Sequence, residues 1–334
     1  MGQDSEDKPL IIISGPTAVG KTDISIMLAK STGAQIISAD SMQVYKGFDI
    51  GTAKISQSEM QGIKHYMINE LEPDEEFNVF EFQRRSKEYI KRIYEDGQIP
   101  MIVGGTGFYI QALLYDVEFA PSDNPGIVSD RRRELEELAR TKGASYLHAM
   151  LEEKDPLSAA VIHENNIKRT VRALEFYYET GQKISEHNLQ QRQRLSEYNF
   201  IYFVLNRRRE EIYRRIDLRV DQMMKDGLVE EVKKLLDSKV SRDSLAMQGL
   251  GYKEIAAYLA GEISFDEAVY IIKRDTRHFA KRQLTWYRRE KEVTWIDYDD
   301  FSGTNEMAQH MIGLMKEKRI IKSDKEKLCL NIRI

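Results

Sequence analysis

Residues 15–22 read Gly-Pro-Thr-Ala-Val-Gly-Lys-Thr, the Gly-x4-Gly-Lys-Ser/Thr spacing of a phosphate-binding loop. At average composition such a match arises by chance about once in a hundred chains of this length. Each residue type has a job. Gly15, Pro16, Thr17, Ala18, Val19 and Gly20 form a loop whose backbone N–H groups converge with the positive end of the following helix, a setting for a di- or triphosphate. Lys21 adds a point charge, and the Thr22 hydroxyl is an oxygen ligand for Mg2+.

Three further places carry reactive types. Asp40 follows an apolar run and has two chemical uses beside such a loop, general base or Mg2+ ligand. The plain alternative is an aspartate in a solvated turn. Residues 104–107 read Gly-Gly-Thr-Gly, where glycines admit close approach of a ligand to the backbone around the Thr106 hydroxyl. No carboxylate of the Walker B kind stands there, so Asp40 is the acid nearest the expected metal. Arg215 and Arg219 fall at i and i+4 on one predicted helix face, spaced to clamp a departing phosphate or to form a solvated basic face.

The strongest basic segment is 273–291, with eight Lys/Arg against two acids and aromatics interleaved. Read as a helix, Thr276, Ala280, Leu284 and Tyr287 form its packing stripe, with Arg277, Lys281 and Arg282 among the cations outside it. Phosphate contact plus base stacking requires that combination, although a charge run also serves as a solvated face. Arg131 to Arg133, Lys168 with Arg169 and Arg172, and Arg192 with Arg194 add basic clusters. A chain of net charge −4 with local basic elements suits tracking one polyanion.

These residues need elements to position them. Residues 9–14, 34–39, 98–103, 200–205 and 293–296 are apolar runs of strand length, with 65–68 a weaker one. Helical spacing lies between most of them. The alternation predicts an α/β fold with a P-loop NTPase-like parallel sheet, whose ligands sit beyond the carboxyl ends of the strands. From Pro121 to about Tyr198 the alternation stops. Helices are expected over 130–141, 145–153 and 167–179, the last with Ile167, Val171, Leu174 and Tyr178 on one face, a cap at Asn165 or Asn166 and a C-cap at Gly181. The expected organisation is a core in two parts, 1–120 and 199–334, interrupted by an all-helical insertion over 121–198. No internal repeat is visible.

The chain has 334 residues, 41% of them apolar, and one cysteine, Cys329. Disulfide scaffolds and cysteine zinc sites are excluded. No apolar run approaches the ~20 residues of a membrane span. The polar, acidic N-terminus is unlike a signal peptide, so a cytoplasmic protein is expected.

The pattern resembles the bacterial tRNA dimethylallyltransferases, also called tRNA isopentenyltransferases. The matching pieces are residues 15–22, Ala-Asp-Ser-Met-Gln-Val-Tyr-Lys-Gly-Phe-Asp-Ile-Gly-Thr-Ala-Lys at 39–54, Val-Gly-Gly-Thr-Gly-Phe-Tyr at 103–109, residues 165–175 and 219–227, Met-Gln-Gly-Leu-Gly-Tyr-Lys-Glu at 247–254, and residues 277–288. They run in order over about 280 residues, and the second and last are close to diagnostic. One departure is Glu164-Asn165-Asn166 where the family often has Pro-Asn-Asp, so that Asn166 stands in place of an aspartate. The zinc finger of some eukaryotic relatives cannot be built with one cysteine.

The resemblance implies transfer of a dimethylallyl group from dimethylallyl diphosphate to N6 of adenine 37, beside the tRNA anticodon. It implies Asp40 as base, and Lys21, Mg2+ and an arginine on the leaving diphosphate. Thr17 and Thr106 would orient the donor. The anticodon arm would be met by Asp40, Ser41, Met42, Gln43, Thr106, Val128, Asn166, Lys168, Arg169, Arg172, Gly251, Tyr252, Arg277, Lys281, Arg282, Gln283 and Trp286, with Thr22 and Asp40 toward the metal, in a monomer. A P-loop kinase and an adenylate isopentenyltransferase acting on free nucleotide are the rival readings; a non-enzymatic RNA-binding module is the third.

Overall fold

The computed structural model describes residues 8–119, 129–191 and 193–322. Six strands form one all-parallel sheet: β1 (Pro9–Ser14), β2 (Ala34–Ser38), β3 (His65–Tyr66), β4 (Ile99–Gly104), β5 (Asn199–Asn206) and β6 (Val293–Asp297), in the order β3-β2-β4-β1-β5-β6. The central strands are apolar on both sides because helices cover both faces. Leu10, Ile11, Ile12 and Ile13 are fully buried, and Ile13 pairs with Val103 on one side and Phe203 on the other. That register places the ends of β1, β2 and β4 next to one another, so the loops after them meet.

The helices are α1 (Lys21–Thr32), α2 (Gln57–Met60), α3 (Val79–Glu95), α4 (Gly107–Leu114), α5 (Asp130–Lys142), α6 (Ala144–Lys154), α7 (Pro156–Val161), α8 (Ile167–Thr180), α9 (Ile184–Gln191), α10 (Arg209–Lys225), α11 (Leu228–Asp237), α12 (Tyr252–Leu259), α13 (Phe265–Tyr287) and α14 (Thr304–Glu317). Helix α1 closes at Gly33, which is left-handed at φ 71° and returns its N–H to Ala29 O. One core cluster joins Ile11, Ile13, Ile24 and Leu28 to Phe203, Met307, Met311 and Met315, so α14 covers the sheet beside α1.

The chain divides into two compact units. The first is Met1–Phe77, Arg84–Ile110 and Glu197–Ile334, and it holds the sheet. The second is Asn78–Gln83 and Gln111–Ser196, and its described residues are helical or irregular with no strand. Between residues 129 and 191 it has five helices where sequence spacing indicated three; α7 and α9 are the additions. Its core joins Leu135, Leu147, Leu151, Val171 and Leu174.

The expected stripe of α8 needs correction. Val171 and Leu174 are buried, but Ile167 and Tyr178 are 37% and 39% exposed. Thr170, Ala173, Glu175 and Phe176 complete the buried face instead. Glu175 is fully buried because Arg132 grips it through Nε (3.1 Å) and Nη2 (2.8 Å) and the Ser129 hydroxyl donates to it at 2.6 Å.

Candidate functional site: a phosphate loop opening on an apolar cavity

The loop of residues 15–20 has a backbone that few sequences adopt. Gly15, Ala18 and Gly20 have φ of 141°, 63° and 109°. A Cβ at Gly15 would lie 2.6 Å from Leu205 O, which restricts that position to glycine. Five of the loop's carbonyls are held by side chains. Lys21 Nζ donates to Gly15 O (3.0 Å) and Pro16 O (2.9 Å), Arg215 Nε to Ala18 O (2.7 Å), Arg207 Nε to Val19 O (3.0 Å) and the Tyr298 hydroxyl to Gly20 O (2.9 Å). The Arg207 guanidinium lies 3.4 Å above the Tyr298 ring centroid, which fixes both. With its carbonyls so held, the loop presents N–H groups on its other side. Two of them already have acceptors: the Thr17 N–H donates to Gln283 Oε1 at 2.8 Å and the Val19 N–H to Pro16 O at 3.4 Å.

The Lys21 amine has a pKa lowered to about 7, chiefly by burial, then by the Arg219 charge, with Asp40 opposing. Burial and the neighbouring Arg215 also lower Arg219. The two α10 arginines therefore differ in task. Arg215 braces the loop, whereas Arg219 lines a cavity of about 620 Å³ in the first unit.

That cavity brings together Thr17, Asp40, Thr106 and Arg219, four of the six residues assigned to catalysis from sequence. Phe77, Tyr109, Ile216, Val220, Met223, Ile272 and Phe279 give it an apolar wall. Ser41, Met42, Gly251, Tyr252, Arg282 and Gln283 also line it. Asp40 is half-buried; its Oδ1 accepts the N–H of Met42 (2.9 Å) and of Gln43 (3.3 Å), and its Oδ2 has no hydrogen-bond partner among the described residues. Thr106 starts α4 by accepting the Tyr109 N–H at 3.0 Å.

Several sequence expectations fall elsewhere. Gln43 does not line the cavity. Its amide donates to Thr52 O (3.2 Å), and the side chain faces a small polar cavity of about 40 Å³ shared with Thr22, Ser25, Ser38 and His65. Thr22 and Asp40 therefore line different cavities. Among the described residues no three His, Cys, Asp or Glu side chains group as a metal site. The Thr22 hydroxyl and the Asp40 carboxylate are hard oxygen donors of the kind Mg2+ takes alongside phosphate oxygens and water, but neither cavity brings the two together.

The glycines of 104–107 admit protein groups. A Cβ at Gly104 would meet Ala39 O at 2.1 Å, one at Gly105 would meet Gln283 Nε2 at 2.3 Å, and one at Gly107 would meet the Trp286 ring at 2.3 Å. Trp286 is thus seated on α4 beside Phe108, 6.1 Å between ring centroids, and its buried indole N–H has no hydrogen-bond partner among the described residues. Gln283 is buried, with Nε2 donating to Gly105 O at 2.9 Å. The Ser14 and Tyr287 hydroxyls, 2.6 Å apart, reach Gly104 O and Gly105 O.

The basic segments are partly neutralised inside the protein. On α13, Arg277 pairs with Asp217 and Lys273 with Asp221, both at 2.5 Å on α10, and Arg274 with Asp275. Lys281, Arg282, Arg288 and Arg289 are exposed without an acidic partner among the described residues. In the second unit Arg131, Arg132 and Arg133 pair with Glu134, Glu175 and Asp130, Arg172 with Glu175, and Arg194 with Glu118. Lys168 and Arg169 are exposed, and Asn166 caps α8 through the Arg169 N–H. Val128 lies outside the described residues.

Sequence reasoning missed Gln283 as a brace, Arg207, Tyr298 and Glu231. Glu231 accepts the N–H groups of Asp49, Ile50 and Gly51 and the Tyr252 hydroxyl. Burial, with the Glu231 charge beside it, raises the Tyr252 phenol far above its ordinary pKa.

The all-parallel sheet, the loop of residues 15–22 and the helices on both faces define a P-loop-like α/β protein, with the apolar cavity beside that loop. Residues 43–290 match the family model described as IPP transferase, and the chain belongs to that family. It is 55% identical over 315 residues to a tRNA dimethylallyltransferase of Lachnoclostridium phytofermentans (94% of this chain, 100% of the relative). It is 49% identical over 309 residues to that of Clostridioides difficile (92% and 98%). A crystal structure of the tRNA isopentenylpyrophosphate transferase of Bacillus halodurans matches with TM-score 0.68 at 41% identity (93% and 98%). A eukaryotic dimethylallyltransferase acting on tRNA matches with TM-score 0.80 at 29% identity (95% and 81%).

Proposed function

We propose that this protein transfers a dimethylallyl group from dimethylallyl diphosphate to N6 of adenine 37 in tRNA, releasing diphosphate. The observation that carries the reading is the single cavity in which a phosphate-loop residue, a carboxylate, an arginine and an apolar wall meet. A five-carbon allyl chain needs the wall, its diphosphate needs the loop, and the attacking amine needs the carboxylate.

In this reaction the N6 nitrogen forms a bond to C1 of the allyl group as the C1–oxygen bond breaks. The amine is a poor nucleophile because its lone pair is delocalised into the ring, and Asp40 takes the proton it loses. The departing diphosphate carries the electron pair, and its growing charge falls on the loop N–H groups, Lys21 and Arg219. Lys21 exchanges the carbonyls of Gly15 and Pro16 for phosphate oxygens. Thr22 would hold Mg2+ through its hydroxyl, and Mg2+ bound there would screen the diphosphate charge, while Asp40, which lines the other cavity, takes the proton. Phe77, Tyr109 and Phe279 keep water from the allyl centre. The adenine must leave its stack to enter. Lys281, Arg282, Arg288 and Arg289 supply phosphate contacts, with Lys168 and Arg169 of the second unit, in a monomeric, cytoplasmic enzyme.

The test is incubation with labelled dimethylallyl diphosphate and either tRNA or AMP. Label in tRNA with release of diphosphate is expected. Label in AMP alone overturns the reading, as does phosphate transfer from ATP.

A further inference from the structure

We infer that Glu231, outside the reaction cavity, is a positioning residue for Asp40 and for the cavity wall facing it. The inference rests on the reaction proposed above. The Glu231 carboxylate is filled to capacity: Oε2 accepts from Asp49 N (3.1 Å) and Ile50 N (2.8 Å), and Oε1 from Gly51 N (3.2 Å) and the Tyr252 hydroxyl (2.6 Å). Three successive backbone donors aimed at one carboxylate fix the path of a loop in the way a ligand-binding nest does.

The loop so fixed is part of the site. Gly51, Thr52 and Ala53 line the cavity together with Tyr252. Gly51 lies so close to the Tyr252 ring that a Cβ there would stand 2.5 Å from it. A hydrogen-bonded path then leads to the reacting carboxylate. The Gln43 amide donates to Thr52 O at 3.2 Å, and the Gln43 N–H donates to Asp40 Oδ1 at 3.3 Å. On the loop's other side the Lys54 amine holds Tyr45 O (2.6 Å), Asp49 Oδ1 (2.8 Å) and Asn69 Oδ1 (2.6 Å). Residues 45–54 are thereby pinned from both flanks, and the orientation of Asp40 is set from Glu231 through that loop and Gln43.

Glu231→Gln keeps the volume but turns an NH2 group toward N–H donors in either orientation, which loosens the loop. The expected result is a fall of about 10- to 100-fold in kcat for tRNA prenylation, as for a reacting group displaced by about 1 Å. The KM for dimethylallyl diphosphate stays within about twofold, because the phosphate loop has other supports. Gln43→Ala should lower kcat too, and the double variant should lose less than the product of the two single losses, because both act through one path. An unchanged kcat per folded molecule in Glu231→Gln, with only the melting temperature lowered, overturns the inference, as do multiplicative losses in the double variant. Should Glu231→Gln fail to fold, Tyr252→Phe removes one donor and leaves the ring; a smaller kcat loss with unchanged donor KM supports the inference, and no loss overturns it. Failure of the proposed reaction itself would appear separately, as absence of prenylation by the wild-type enzyme.

Discussion

Gln283 holds Thr17: the side-chain oxygen of one accepts the backbone N–H of the other at 2.8 Å, while its amide nitrogen donates to Gly105 O at 2.9 Å. One buried side chain on α13 thus ties the phosphate loop to the end of β4. It also occupies a loop N–H that would otherwise face a phosphate, so the orientation of the loop depends on a residue far along the chain.

Gln283→Ala leaves the Thr17 N–H without its partner, at a cost of about 1–3 kcal/mol, while Gly105 O keeps the Tyr287 hydroxyl at 3.0 Å. The expected outcome is a lower melting temperature together with a raised KM for dimethylallyl diphosphate. Gln283→Glu should raise that KM further, since it adds a negative charge beside the loop and sets an acceptor against Gly105 O. Steady-state kinetics with varied donor check both, and a donor KM equal to wild type in Gln283→Glu counts against the brace.

What the sequence disclosed divides along separation in the chain. The phosphate loop, Asp40 and Arg219 are local motifs, and the strands were legible because both faces are apolar. Gln283, Glu231 and Tyr298 act on partners 266, about 181 and 278 residues away, and no local pattern encodes such pairings. The missed α7 is short and starts with Pro156 capped by Asp155, and α9 has too few apolar residues to show a period. Ile167 and Tyr178 follow helical spacing yet sit at the rim of the buried face, whereas Glu175, which polarity places outside, is inside with Arg132. The basic run on α13 read as uniform because Asp217 and Asp221, which neutralise its first part, lie on another helix.

Asp40→Asn keeps an acceptor for the Met42 N–H and removes the basicity. Transfer to tRNA should fall by about 10²–10⁴-fold at saturating substrates, the usual cost of a lost general base. Binding of tRNA, followed by filter retention, should stay close to wild type. More than about a third of wild-type turnover in this variant is incompatible with Asp40 as the base.

Donor binding should weaken with rising pH. The free-enzyme Lys21 amine, with its pKa lowered to about 7 by burial and then Arg219, loses its charge above that pH, and a bound diphosphate restores it. The sign follows: binding takes up a proton above pH ~7, so log Kd for dimethylallyl diphosphate should rise by up to about one per pH unit there. The same burial makes the fold gain stability as pH climbs from about 7 toward the ordinary lysine value, because the unfolded chain holds that proton longer. Lys21→Arg stays charged and should flatten the binding profile. Calorimetric titration at several pH values checks this; a wild-type profile level from pH 6 to 9 refutes the role given to Lys21.

The last prediction separates two cations on one helix. Arg277 is paired with Asp217 at 2.5 Å, whereas Lys281, one turn further along α13, is exposed with no acidic partner among the described residues. A side chain already neutralised releases few counterions from RNA, and a free one releases about its full share. Each phosphate contact contributes a slope of about −0.7 to −0.9 in log K against log salt. Replacing both Lys281 and Arg289 with alanine should therefore make the slope for tRNA binding shallower by roughly 1.5, if each touches phosphate. Arg277→Ala should leave the slope within about 0.3 of wild type and cost up to about 1 kcal/mol of stability, the range for a partly exposed pair. Binding constants at four or five salt concentrations decide it. Parallel lines for the double variant and wild type would return the far half of α13 to a solvated face, and a changed slope in Arg277→Ala would mean that its pair with Asp217 opens to meet the RNA.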